Sequence, residues 1–172
     1  MHARDILKNK GNRVFNAKAE MLVADISRML HENRIGAVLI LDAAGKIAGI
    51  LSERDIVSGM AKRGAAVTTM NVGSLMTREV MTCQPTDLIA DIMATMTAKR
   101  IRHLPVVEEG RLLGVISIGD VVKYRLDEAA QEFSAVSSMP GVPVRLGATL
   151  ILLELERPSQ KRNWTRAQAA VQ

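Results

Sequence analysis

The chain has 172 residues, 48% of them apolar and only 2% aromatic, and a net charge of +5. Such a chain can bury a substantial aliphatic, methionine-rich core, but it lacks the stacking residues of a single-strand nucleic-acid binder. Five basic residues (Arg145, Arg157, Lys161, Arg162 and Arg166) against Glu154 and Glu156 place much of the excess charge beyond Ser134, which argues against a nucleic-acid surface on the body.

From the N-terminus, Met1-His2-Ala3-Arg4-Asp5 is charged and is not followed by the apolar stretch of a signal peptide. No segment approaches the roughly 20 apolar residues of a membrane-crossing helix. A cytoplasmic protein is expected. A short strand is predicted at Val14-Phe15, then a helix with Leu22, Val23, Ile26, Met29 and Leu30 at helical spacing. Branched runs at Ala37–Leu41 and Ile47–Leu51, split by Asp42-Ala-Ala-Gly45, predict a hairpin, and a second helix starts after Ser52.

The pattern then repeats. A strand is predicted from Val80 to Cys83, and a helix with Leu88, Ile89, Ile92, Met93 and Met96. A hairpin of Leu104–Val107 and Leu112–Ile116 follows, and a helix after Ser117. Leu22-Val-Ala-Asp-Ile26 returns as Leu88-Ile-Ala-Asp-Ile92, 66 positions later, and the turn loses one residue so that Gly49-Ile-Leu-Ser52 returns as Gly114-Val-Ile-Ser117 at 65. The fold class is α/β (α+β), two tandem βαββα units. Each has an apolar sheet face that the other can cover by packing face to face about a pseudo-twofold axis. The units span residues 3–65 and 70–133. From 134 to 172 an atypical, partly disordered extension is expected: Ser137-Ser-Met-Pro-Gly-Val-Pro143 breaks the last helix, Leu146 to Leu155 is apolar enough to dock, and Arg157 onward is polar.

Each hairpin ends in Ser-x-x-Asp: Ser52-Glu-Arg-Asp55 and Ser117-Ile-Gly-Asp120. The plain reading is a capping box. The functional one is a carboxylate whose two acceptor oxygens suit a ribose diol, beside helix N-terminal amides. Cys83 cannot form an internal disulfide and reads as a structural thiol. His2, His31 and His103 show no metal-ligand spacing, and no phosphate loop or nucleophile motif is present, so neither a metal nor a catalytic site is expected.

The runs Ile101-Arg-His-Leu-Pro-Val-Val107 and Gly110-Arg-Leu-Leu-Gly-Val-Ile-Ser-Ile-Gly-Asp-Val-Val122, with their counterparts from Ile35 and Gly45, resemble the cystathionine-β-synthase (CBS) domain pair, or Bateman module. The chain looks closest to the small bacterial proteins that are little more than such a pair. The resemblance covers about residues 3 to 130. It implies a regulatory module that binds an adenine nucleotide (AMP, ADP, ATP or NAD(H)), forms a homodimer and signals to a regulated protein. The rivals are a ligand-free interaction module and, more weakly, a nucleic-acid binder through the basic tail. By the same resemblance Asp55 and Asp120 hold ribose, with Ser52 and Ser117 beside them. The adenine slot falls at Thr77, Val80, Arg102, His103 and Pro105 for the second copy, and at Val14, Gly36 and Ala37 for the first. Phosphates need cations, and Arg54 and Arg102 are the candidates. Gly36-Ala37-Val38-Leu39 stands where the second copy has Arg102-His103-Leu104-Pro105, so the clefts are unequal and the second is the favoured one.

Overall fold

The computed structural model describes residues 1–11 and 13–137, with side chains described as far as Gln131. The expectations for Leu146–Leu155 and the polar tail lie outside those residues. By its contacts the chain divides at Leu126, and Met1–Leu126 forms one unit containing both repeats. Of the remainder only the continuation of the last helix, to Ser137, is described.

In the first repeat β1 (Asn16–Ala17) runs parallel to β2 (Ala37–Leu41), which pairs antiparallel with β3 (Ile47–Ser52). The second repeat has the hairpin β4 (His103–Glu108) and β5 (Arg111–Ser117). Four helices correspond across the repeats: α2 (Val23–Asn33) to α4 (Ile89–Lys99), and α3 (Glu53–Arg63) to α5 (Ile118–Ser137). The register slips between Ile40 and Leu41, and at the equivalent place between Val106 and Val107. An irregularity repeated this faithfully belongs to the unit's design rather than to one copy.

Three local expectations need correction. The first strand lies at Asn16–Ala17, not Val14-Phe15, although pairing begins where the Leu39 amide donates to the Phe15 carbonyl. Val80 to Cys83 does not form a strand. Only Cys83 bridges to Val106, its amide donating to Pro105 O and its carbonyl accepting from the Val107 amide. Finally, an unforeseen helix, α1 (Ala3–Lys10), opens the chain, with Ala3, Ile6 and Leu7 buried on one side.

The core explains α1. It has two clusters, and each repeat completes its cluster with residues from the opening of the other or from just before it. Ala3, Ile6 and Leu7 pack with Ile89, Ile92, Met96, Leu104, Val106 and Ile116 of the second repeat. Val67, from the connector between repeats, and Val72 and Met76, from the opening of the second, pack with Val23, Ile26, Leu30, Val38, Ile40 and Leu51 of the first. The exchange is symmetric down to single bonds. The Ala3 amide donates to Asp87 O and the Val72 amide to Met21 O, while Arg4 donates to Pro85 O and Gly73 to Ala19 O.

Two glycines make the exchange fit. A Cβ on Gly114 would lie 2.7 Å from Leu7 Cδ2, and one on Gly49 would lie 2.6 Å from Met76 Sδ. Their matched positions identify Leu7 and Met76 as equivalents. No helix of the described residues is long and apolar enough to cross a membrane.

Candidate functional site

A cavity of about 170 Å³ opens where the repeats meet. From the first repeat it is lined by Gly36, Ile50, Ser52, Glu53, Arg54 and Asp55; from the connector and second repeat, by Thr77, Glu79, Val80, Met81, Arg100, Ile101, Arg102 and His103. The sequence reading assigned Thr77, Val80, Arg102 and His103 to the copy that carries Asp120. The structure places them instead with Asp55. The reason is the segment exchange: Thr77 pairs with Ile50, each amide donating to the other's carbonyl at 2.9 Å, which brings the opening of the second repeat alongside β3 of the first.

Asp55 stands in the first turn of α3, whose N-terminus opens at the cavity. The Ser52 amide and hydroxyl donate to Asp55 Oδ2 at 2.8 and 2.6 Å, and the Asp55 amide donates back to Ser52 Oγ at 3.4 Å. This is a complete capping box. It engages a single carboxylate oxygen. Oδ1 of Asp55 accepts no hydrogen bond among the described residues, so capping and ligand binding are compatible roles for one side chain.

Asp120 reproduces the cap, with Ser117 N and Oγ both 2.8 Å from Oδ2. Its surroundings differ. Lys10 Nζ lies 2.5 Å from the same oxygen. Burial pushes the Asp120 carboxyl up, but hydrogen bonds from Lys10 and from the Ser117 amide and hydroxyl, together with the lysine charge, outweigh it and hold the group below the ordinary carboxylate value.

Other expected residues fall away from this cavity: Val14, Ala37, Pro105, Ser117 and Asp120 do not line it. Ala37 pairs with Ser52 in the hairpin, Pro105 is buried in β4, and Val14 is half-buried just before β1. Ser117 pairs with His103.

His103 leans across to the first repeat, and its Cε1 would lie 2.9 Å from a Cβ on Gly36. Burial lowers its pKa and the Lys10 and Arg102 charges lower it further, against the opposing influence of Glu53 and Asp120. The balance favours the neutral imidazole.

The sequence reading missed Glu53, Glu79 and Arg100. Arg100 closes α4 in the left-handed conformation at φ 54°, as Arg34 closes α2 at φ 52°. Its carbonyl accepts from Arg54 Nη1 at 2.8 Å, which ties α3 to the second repeat over the cavity. A matched pair of non-glycine helix ends, Arg34-Ile35 and Arg100-Ile101, was a signal available in the repeat alignment. Beside the apolar residues Ile50, Val80, Met81 and Ile101, the lining thus holds three arginines and three acids.

The CBS-domain family model matches residues 3–62 and 72–127, the two repeats. The chain belongs to the CBS-domain family. Within it, this CBS pair is 42% identical to the CBS-domain protein ATU1752 of Agrobacterium tumefaciens, superposing with a TM-score of 0.71 over 72% of this chain and 92% of that one. It is 28% identical to the mitochondrial CBS domain-containing protein CBSX3 of Arabidopsis thaliana over 78% of this chain and 69% of that one. It also shares its fold with the CBS domain protein PAE2072 of Pyrobaculum aerophilum, solved in complex with AMP, at 23% identity and a TM-score of 0.65 over 76% of this chain and 99% of that one.

Proposed function

We propose that this CBS pair is a non-catalytic regulatory module that binds an adenine nucleotide in the cavity at Asp55 and relays its occupancy to a partner protein. One observation carries the reading: Asp55, with Oδ1 unengaged among the described residues, and the N-terminus of α3 share a cavity with apolar lining residues and arginines from both repeats. The apolar lining suits a purine ring, the Asp55 carboxylate suits the ribose diol, and Arg54, Arg100 and Arg102 suit phosphate. The AMP complex of the Pyrobaculum relative lends this ligand class support. The candidates are AMP, ADP, ATP and NAD(H). The cavity at Asp55, rather than a cleft at Asp120, is the leading site.

Signalling follows from the cavity's composition. A ligand that touches both repeats favours the mutual orientation it fits, by as much as its affinities for the two orientations differ. A homodimer is part of the proposal. Helices α3 and α5 expose Val57 and Val122 at equivalent positions, with Met60 and Leu126 nearby in sequence, and these apolar side chains suit a second copy.

A thermal-shift panel of AMP, ADP, ATP and NADH at millimolar concentration tests the reading, with CMP and UMP as controls. Binding to the native state raises the transition temperature. Adenine nucleotides should shift it clearly and pyrimidine nucleotides much less. An unmoved transition across the adenine series would leave the Ser-x-x-Asp motifs as caps alone and favour a ligand-free interaction module. Mass spectrometry of small molecules released from freshly purified protein identifies the resident ligand.

A further inference from the structure

The two Ser-x-x-Asp sites are related by the repeat, yet α1 breaks the relation at one residue. Leu7 and Met76 are equivalent, each packed against the matched glycine of the opposite repeat. From Leu7 to Val14 the chain has three more residues than from Met76 to Val80. Those residues prolong α1 to Lys10, whereas after Met76 the backbone turns at once into its pairing with Ile50. Three positions beyond Leu7 stands Lys10, an ammonium on Asp120. Three positions beyond Met76 stands Glu79, an acid lining the Asp55 cavity.

We propose that Lys10 closes the Asp120 half-site from within, so that the module has a single nucleotide cleft, at Asp55. The inference rests on the nucleotide reading given above and goes beyond it by fixing stoichiometry and the residue that sets it. Lys10 Nζ and both Ser117 donors converge on Asp120 Oδ2. Oδ1 of Asp120, like that of Asp55, accepts no hydrogen bond among the described residues, but the ammonium already neutralises this carboxylate, so a sugar hydroxyl arriving there meets an ion pair instead of an unpaired anion. Asp55 has the same serine donors and no ion pair among the described residues. A ligand reaching Asp55 meets a carboxylate that no cation pairs among the described residues. The extra turn of α1 thus acts as a tethered occupant of one cleft.

Isothermal titration with AMP is the test, on the full chain and on Lys10→Met, which keeps most of the apolar stem and removes the charge. The full chain should bind one AMP per chain. Lys10→Met should bind a second, and the double variant Lys10→Met/Asp55→Asn should keep the site at Asp120. Two AMP per chain without any substitution, no gain on substitution, or weaker binding in Lys10→Met would overturn the proposal while leaving the nucleotide reading intact. No binding by any of these proteins overturns both. A ligand-free measurement stands beside it: followed by NMR, the Asp120 carboxyl should titrate at higher pH in Lys10→Met than in the unmodified chain, and an unchanged titration means that Lys10 does not hold the carboxylate in solution.

Discussion

His103 and Gly36 touch across the boundary between the repeats, the imidazole Cε1 lying 2.9 Å from where a Cβ on Gly36 would stand. Gly36→Ala must therefore displace the ring, and both residues line the cavity. A ring can swing, so the cost to stability is modest, about 1 kcal/mol by the usual scale of mild overpacking. Nucleotide affinity should fall more than stability does. Unfolding midpoints beside titration calorimetry measure both.

The two aspartates should separate on the same pair of measurements. Asp55→Asn keeps an acceptor for the Ser52 amide, so as a cap change it costs roughly 1 kcal/mol or less. As a ligand contact it loses charge-assisted bonds to the sugar, on the order of 1.5–3 kcal/mol, or roughly ten- to a hundredfold in affinity. Asp120→Asn should lower stability by a similar small amount and leave the affinity of the first-bound nucleotide nearly unchanged. The reverse ranking would move the site to Asp120.

Acid should destabilise the pair through His103. Its native pKa lies below the ordinary value, so on acidification the unfolded chain binds a proton that the native state still refuses. Stability is fully present above about pH 6.5 and is lost as pH falls through the native pKa. His103→Gln should flatten the midpoint-versus-pH curve in that window. A slope unchanged by the substitution assigns the acid sensitivity to other groups.

Cys83 should be inert. Burial first, then the neighbouring Asp87 charge, pushes its thiol up to about 12, against a backbone hydrogen bond that lowers it. Since the thiolate is the reacting form, a thiol reagent should label the native protein slowly and the urea-unfolded protein at the rate of an ordinary cysteine. Rapid native labelling would mean that the Cys83–Val106 bridge opens readily.

Gly114→Ala tests the docking of α1. The added methyl meets Leu7, itself buried, at 2.7 Å. Overpacking of this kind costs about 1–3 kcal/mol. Backbone amides of α1 should lose hydrogen-exchange protection first, before those of β4 and β5. Uniform loss across the unit would show that α1 does not open by itself.

The repeats, hairpins and caps were legible in the sequence because each depends on local periodicity: Val23, Ile26 and Leu30 sit on one face of α2, and Ser52 lies three residues from Asp55. The composition of the cleft was not. Thr77 and Val80 open the second repeat in the chain, and the family resemblance assigned them to the copy that carries Asp120. Their partner Ile50 comes from the first repeat, a pairing set by packing over long range. Helix α1 did leave a trace, Ala3, Ile6 and Leu7 at helical spacing, but a single short turn of pattern carries little weight before its apolar partner is known. Lys10 needed both pieces, since its meaning depends on where α1 ends.

The crossed docking of the segments before each repeat has a consequence for how the molecule can be cut. Separating the chain near Gly64 would not release two self-sufficient halves: the first would lack Val67, Val72 and Met76, and the second would lack Ala3, Ile6 and Leu7. Each fragment would hold the plug for the other's hydrophobic gap. Mixed together, the fragments should reassemble as a complementing pair whose folding depends on concentration, whereas in the intact chain the connector supplies each half with its partner at a fixed, high effective concentration.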